Sequence, residues 1–191
     1  MKNYLITILG AILLSSTSHA QFLQGGGILI GGGYLEEPDT GYIFGQIRGT
    51  VYEDHLVAHT FFLEFLGHQD DAVIEFPAFG GGSLFEDGDL NFADFTVNYE
   101  LEAKLGGPVS FYLGGGVGVE YVTLDGRFDF SFDDDTNFVA QVFAGFRFRN
   151  QRGLSAQLGA RYIFRDNFEI LGDEFIAEDT FGFEASIGFR F

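Results

Sequence analysis

From Gln24 onward apolar residues recur with a period of two, which puts successive side chains on opposite faces of a strand. The end of the chain shows this most clearly. Phe181, Phe183, Ala185, Ile187, Phe189 and Phe191 fall on one face, and Gly182, Glu184, Ser186, Gly188 and Arg190 on the other. The same alternation runs through Phe95 to Leu105, Val109 to Tyr121, Phe138 to Arg149 and Leu154 to Arg165. In the third of these, Val139 and Phe143 interrupt an otherwise polar face. Three earlier strands are expected near Gln24 to Leu35, Gly41 to Tyr52 and Leu56 to Gly67. In the last of them His59 and Glu64 take opposite faces, so one polar group is awkwardly placed. The pattern predicts eight strands of roughly 10 to 12 residues, long enough to cross a bilayer when tilted.

The connections alternate in length. Short turns are expected at Glu53-Asp54-His55, Gly106-Gly107-Pro108 and Asn150-Gln151-Arg152-Gly153. Longer loops are expected at Gln69 to Asp94, Gly126 to Asn137 and Asp166 to Asp179, with Glu36 to Thr40 short. Short turns at one end and long loops at the other are the asymmetry of membrane-spanning β-barrels.

Before the strands lies a segment of another kind. Met1-Lys2-Asn3 is a short positive start, Tyr4 to Leu14 is apolar, and Ser15 to Ala20 ends in small residues. This is the three-part layout of a secretory signal peptide, with cleavage expected after Ala20. It makes residues 1–20 a signal peptide and 21–191 a single β-barrel domain. The apolar run is too short to span as a helix. Gly and charged residues interrupt every later one, so entry into a membrane requires a closed barrel, in which every backbone group is paired.

Composition narrows the partners. The net charge is −18, from 28 Asp and Glu against 10 Lys and Arg. That excludes nucleic acid, whose binders need a basic footprint. Cys is absent, which removes disulfides, thiolate metal sites and thiol nucleophiles.

The charges also indicate which way the faces point. The inferred polar faces carry both signs: Arg48, Lys104, Arg147, Arg149, Arg161, Arg165 and Arg190 with Glu64, Glu100, Glu102, Glu120 and Glu184. A narrow barrel interior filled by Arg/Glu pairs and small residues accommodates them. An Arg facing the middle of a bilayer costs roughly 2–4 kcal/mol. The remaining acids crowd the loops, at Asp70-Asp71, Glu86-Asp87, Asp133-Asp134-Asp135 and Asp173-Glu174. Phe95, Tyr121, Phe138, Phe164 and Phe181 are expected at the loop ends of their strands, as an interfacial girdle. The opposite arrangement, a secreted soluble barrel, would need a wide apolar cavity lined with Phe.

On these residues the stretch from Gly25 to Phe191 resembles the small eight-stranded outer-membrane β-barrels, similar to OmpA transmembrane domains. The resemblance is most specific in the last strand. There Phe183, Ile187, Phe189 and Phe191 match the family's membrane-insertion signal, alternating hydrophobics that end on an aromatic residue; Ala185 matches it weakly. It implies an all-β, antiparallel, up-and-down transmembrane barrel in the outer membrane, in contact with lipid and lipopolysaccharide. It also implies recognition of the last strand by the barrel assembly machinery. No peptidoglycan-binding domain is expected after the barrel.

Candidate chemistry is sparse. Gly114-Gly115-Gly116-Val117-Gly118 lacks the helix and spacing of a phosphate loop and reads as glycines that relieve crowding. Asp133-Asp134-Asp135, near Asp125 and Asp129, lacks EF-hand spacing and reads as a solvated loop, with weak divalent bridging to lipopolysaccharide as the alternative. A lipid A-modifying enzyme would need a nucleophile, a base and an orienting group. The histidines of the mature chain are His55, His59 and His68, and none has a neighbouring Ser in sequence. A small pore is the other alternative. The expectation is therefore a non-enzymatic outer-membrane barrel without cofactor or metal, whose acidic loops serve envelope structure or surface interaction with a partner the sequence does not name.

Overall fold

The computed structural model describes residues 24–37, 39–78, 82–126, 135–166, 168–170, 173–175 and 179–191. The expected signal peptide and its cleavage point lie outside these residues, as do Asp129, Ser131, Asp133 and Asp134. The described chain forms β1 (Gly25–Leu35), β2 (Thr40–Glu53), β3 (Val57–Ala78), β4 (Gly82–Gly106), β5 (Val109–Gly126), β6 (Asp135–Arg149) and β7 (Leu154–Arg165). Then come β8 (Phe168–Ile170), β9 (Asp173–Phe175) and β10 (Thr180–Arg190). Eight strands close into one antiparallel barrel in the order β1-β10-β7-β6-β5-β4-β3-β2, each beside its neighbour in the chain. Closure is made by β10 against β1, from Gly27↔Arg190 to Leu35↔Gly182. No sheet edge is left in the barrel, which is what a strand protein in lipid requires.

Alternation decides the two faces. Among the described residues, the outward positions carry a belt of large apolar side chains, including Ile43 at 71% exposure and Phe183 at 64%. Water does not tolerate so continuous an apolar surface on a monomeric protein. The inward positions are polar, small, aromatic or, in places, aliphatic. Leu29, Leu35, Tyr42, Phe44, Leu66, Val139 and Ile163 form one buried apolar cluster, and Phe62, Tyr112 and Phe143 another. Val139 and Phe143, the two residues that interrupted the polar face of their strand, are thus lumen packing.

Small residues make room for these rings. A Cβ on Gly114 would lie 2.5 Å from the Phe143 ring, and one on Gly159 would lie 2.2 Å from Tyr112 Oη. Either approach is closer than van der Waals contact permits.

Two loop expectations are corrected. Gln69 to Asp94 is not a loop: β3 and β4 stay paired from Val57↔Ala103 to Ala78↔Gly82. Beyond His68, β3 has no pairing with β2, whose register ends at Tyr42↔His68. On the other side β4 stays paired with β5 as far as Gly88↔Gly126, and past Ala72↔Gly88 the hairpin continues as a two-stranded arm. Nothing there demands an apolar face, so the extension lacks the alternation that marks the barrel strands. Phe95 consequently lies within β4 and not at its end. Asp166 to Asp179 likewise contains the short β8–β9 hairpin. No described helix is long and apolar enough to cross a membrane.

Candidate functional site in the barrel lumen

The lumen is occupied by three tiers of charged side chains. At the turn end, Arg48 Nη2 lies 2.6 Å from Glu100 Oε1, and Arg147 Nη2 lies 2.8 Å from Glu100 Oε2. Arg147 also pairs with Glu102, which Arg149 reaches at 3.0 Å. Ser110 Oγ donates to Glu102 at 2.6 Å. Lys104 Nζ lies 2.7 Å from Glu53 Oε1, and Arg190 pairs with the same carboxylate.

The middle tier centres on Arg161. Its Nη1 donates to Glu64 at 2.8 Å and its Nε to Glu184 at 2.6 Å. Gln46 and Gln141 donate to Glu64 at 2.6 and 2.7 Å, and Tyr42 donates to Glu184 at 3.1 Å. At the loop side Arg165 Nε lies 2.7 Å from Glu120 Oε2. Asp94 sits directly across from Glu120 in register.

The guanidinium groups also stack on lumen aromatics. Arg48 lies over Phe62 at 4.6 Å, Arg147 over Tyr112 at 5.1 Å, and Arg161 over Phe44 at 4.8 Å. A planar guanidinium suits a place that offers carboxylates at its edge and a ring at its face. With both needs met, the charges are held in a lumen with little room for water.

All twelve of the charged residues assigned to polar strand faces thus line one lumen, in separate tiers. Several lumen groups had no such assignment. Glu53 reads as a turn residue. A bulge between Thr50 and Tyr52 shifts the β2 register, sends Tyr52 outward and brings Glu53 into the lumen. Asp94 reads as a loop residue and His68 falls just past the expected end of its strand, because β3 and β4 continue further. Gln46, Asn98 and Gln141 occupy inward positions by simple alternation, and that parity was the signal available for them.

Phe183, Ile187, Phe189 and Phe191 all point outward. His59, on the outer face, has its Nδ1 2.6 Å from Tyr99 Oη and an edge contact with Tyr52. These tyrosine partners supply neither a nucleophilic Ser nor an orienting carboxylate. Ser110 and Ser186 are buried in the lumen, and Ser155 bonds the Gly188 carbonyl at 3.4 Å. Among the described residues no group of three or more metal-ligating side chains gathers.

Solved structures share this architecture. A major outer membrane protein from Thermus thermophilus matches with a TM-score of 0.55 and 12% identity, over 88% of this chain and all of that one, 100%. Neisserial surface protein A matches at 0.53 and 13% identity, over 87% of this chain and 93% of that one. The N-terminal β-barrel domain of Pseudomonas aeruginosa OprF matches at 0.51 and 13% identity, over 88% and 98%. No protein-family model matches the chain, and no curated protein does. At such identities the likeness is one of fold. The chain has the closed eight-stranded architecture of small outer-membrane β-barrels.

Proposed function

We propose that this chain is exported by residues 1–20, cleaved after Ala20, and resides in the outer membrane as a non-enzymatic barrel. The observation that carries this reading is the inversion of faces. Large apolar side chains face out around the barrel, while the Arg/Glu tiers are enclosed. Such a molecule is matched to hydrocarbon outside and needs no aqueous channel within.

On this reading lipid and lipopolysaccharide surround the belt. The barrel assembly machinery recognises Phe183, Ile187, Phe189 and Phe191 in the last strand. The β3–β4 arm and the acidic loops face outward from the cell and serve envelope integrity or surface interaction. The Arg/Glu tiers are structural, each guanidinium being paired with carboxylates of the same lumen.

Fractionation tests the reading. The protein is expected in the outer-membrane fraction, migrating faster before heating than after it on a denaturing gel. Recovery as a soluble periplasmic protein would overturn it. Unchanged lipid A in expressing cells, followed by mass spectrometry, is the expected result for a barrel without enzymatic activity.

A further inference from the structure

We propose that the turn end of the lumen binds a small inorganic anion of halide size. A cavity of about 30 Å³ lies there, lined by Arg48, Arg147, Arg149 and Arg190 and by Thr50 and Thr60. No described carboxylate lines it. One water needs roughly 10–15 Å³ of such space, so the cavity admits a monatomic ion.

The charge count points to the same ligand. Five cations, Arg48, Lys104, Arg147, Arg149 and Arg190, share three carboxylates, Glu53, Glu100 and Glu102. The main-chain oxygen of Phe191 accepts from Gly26 N at 3.1 Å and enters none of these ion pairs. Among side chains the surplus lies at the partly exposed mouth, where Lys104, Arg149 and Arg190 gather around Glu53, while the buried Arg48 and Arg147 are matched by Glu100 and Glu102. Cations clustered around one small cavity repel one another and attract an anion into it.

Donors remain available as well. Arg149 Nη2 is committed to Glu102 at 3.0 Å, but its Nη1 is 3.8 Å from Glu53, beyond hydrogen-bond reach. Each guanidinium has five donors, more than the carboxylates of this tier take up.

The route in is one-sided. An open recess at the turn end, bounded by Glu53, Glu102, Lys104 and Arg149, adjoins the small cavity, and Arg149 lines both. The middle tier has the opposite excess, since Glu64 and Glu184 share Arg161. An anion is therefore repelled from the loop side and drawn in from the turn side.

Bromide is the probe, used with the intact barrel in detergent. Crystals grown with sodium bromide are expected to show an anomalous bromine peak inside the cavity. In solution, the temperature at which the heat-modifiable band converts should be higher in sodium bromide or chloride than in equal sodium gluconate, whose anion is too large to enter. The expected rise is about 3–5 °C. Arg149→Gln, at the half-exposed mouth, should remove most of the difference between the salts. A merely structural role for Arg149 would lower both transitions alike and would count against the site. A cavity without bromine, or wild-type transitions that coincide in the two salts, overturns the proposal.

Discussion

Arg161 is the cation that the two carboxylates at the middle of the lumen share. It donates to Glu64 and Glu184, and it lies over Phe44 at 4.8 Å. Arg161→Met keeps much of the volume but strands two buried carboxylates without a counter-charge. The expected loss is about 3–5 kcal/mol, measured as a lower urea midpoint for the folded barrel. Arg161→Lys should recover little, because a point charge does not satisfy two carboxylates in a fork. Packing makes a second residue-scale prediction. A Cβ on Gly159 would meet Tyr112 Oη at 2.2 Å and the Ala144 carbonyl at 2.9 Å. Gly159→Ala should cost about 1–3 kcal/mol as overpacking, and Tyr112→Phe in the same chain should restore part of it. At this scale legibility followed parity. Glu64, Glu100 and Arg161 lie on faces that plain alternation marks as polar. Glu53 was hidden, because the bulge that turns it inward leaves no mark in composition.

At the scale of elements, the turn between β2 and β3 is built on Asp54. Its Oδ1 accepts from Val57 N at 2.8 Å and Leu56 N at 2.7 Å. These backbone bonds, Val57 foremost, hold the carboxyl down to about 2. A depressed carboxyl stabilises the fold fully above its ordinary value of about 4, and that contribution disappears as pH falls through about 2. The stability gap between wild type and Asp54→Ala should therefore be constant from neutral pH to about 4 and close below it, as read by urea unfolding at each pH. The β3–β4 arm gives a different expectation. Beyond Asp70↔Leu90 the β3 side of the arm pairs only with β4. Replacing residues 71–87 by a tight turn should leave a heat-modifiable barrel. Deleting Phe191 should impair assembly more than any change to a loop acid, because its N–H and C=O both bond Gly26 and its ring ends the outward face of β10. The arm was illegible for a physical reason. Period-two alternation records a difference between two environments, and a hairpin that leaves the barrel no longer has lipid on one side.

For the whole molecule, the question is whether eight strands around this lumen leave a path through it. The middle tier draws side chains from six strands: Gln46 of β2, Glu64 of β3, Asn98 of β4, Gln141 of β6, Arg161 of β7 and Glu184 of β10. All six are buried, and they bond to one another across the axis, with Gln141 reaching Glu64 at 2.7 Å and Asn98 at 2.8 Å. An ion crossing the barrel would have to break this network and strip its own hydration in a space that the side chains already fill. The wild-type protein should therefore be silent in planar bilayers at moderate voltage. Combining Arg161→Ala, Glu64→Ala and Glu184→Ala removes the charges together, so no carboxylate of that tier is left unpaired, and it opens space beside Gln46 and Gln141. That variant should still migrate as a folded barrel and should show discrete conductance steps. Steps in the wild type would mean that the tiers form the lining of a pore; silence in the triple variant would place the barrier to ions elsewhere along the lumen, in the turn-end tier or the apolar cluster of Phe62, Tyr112 and Phe143.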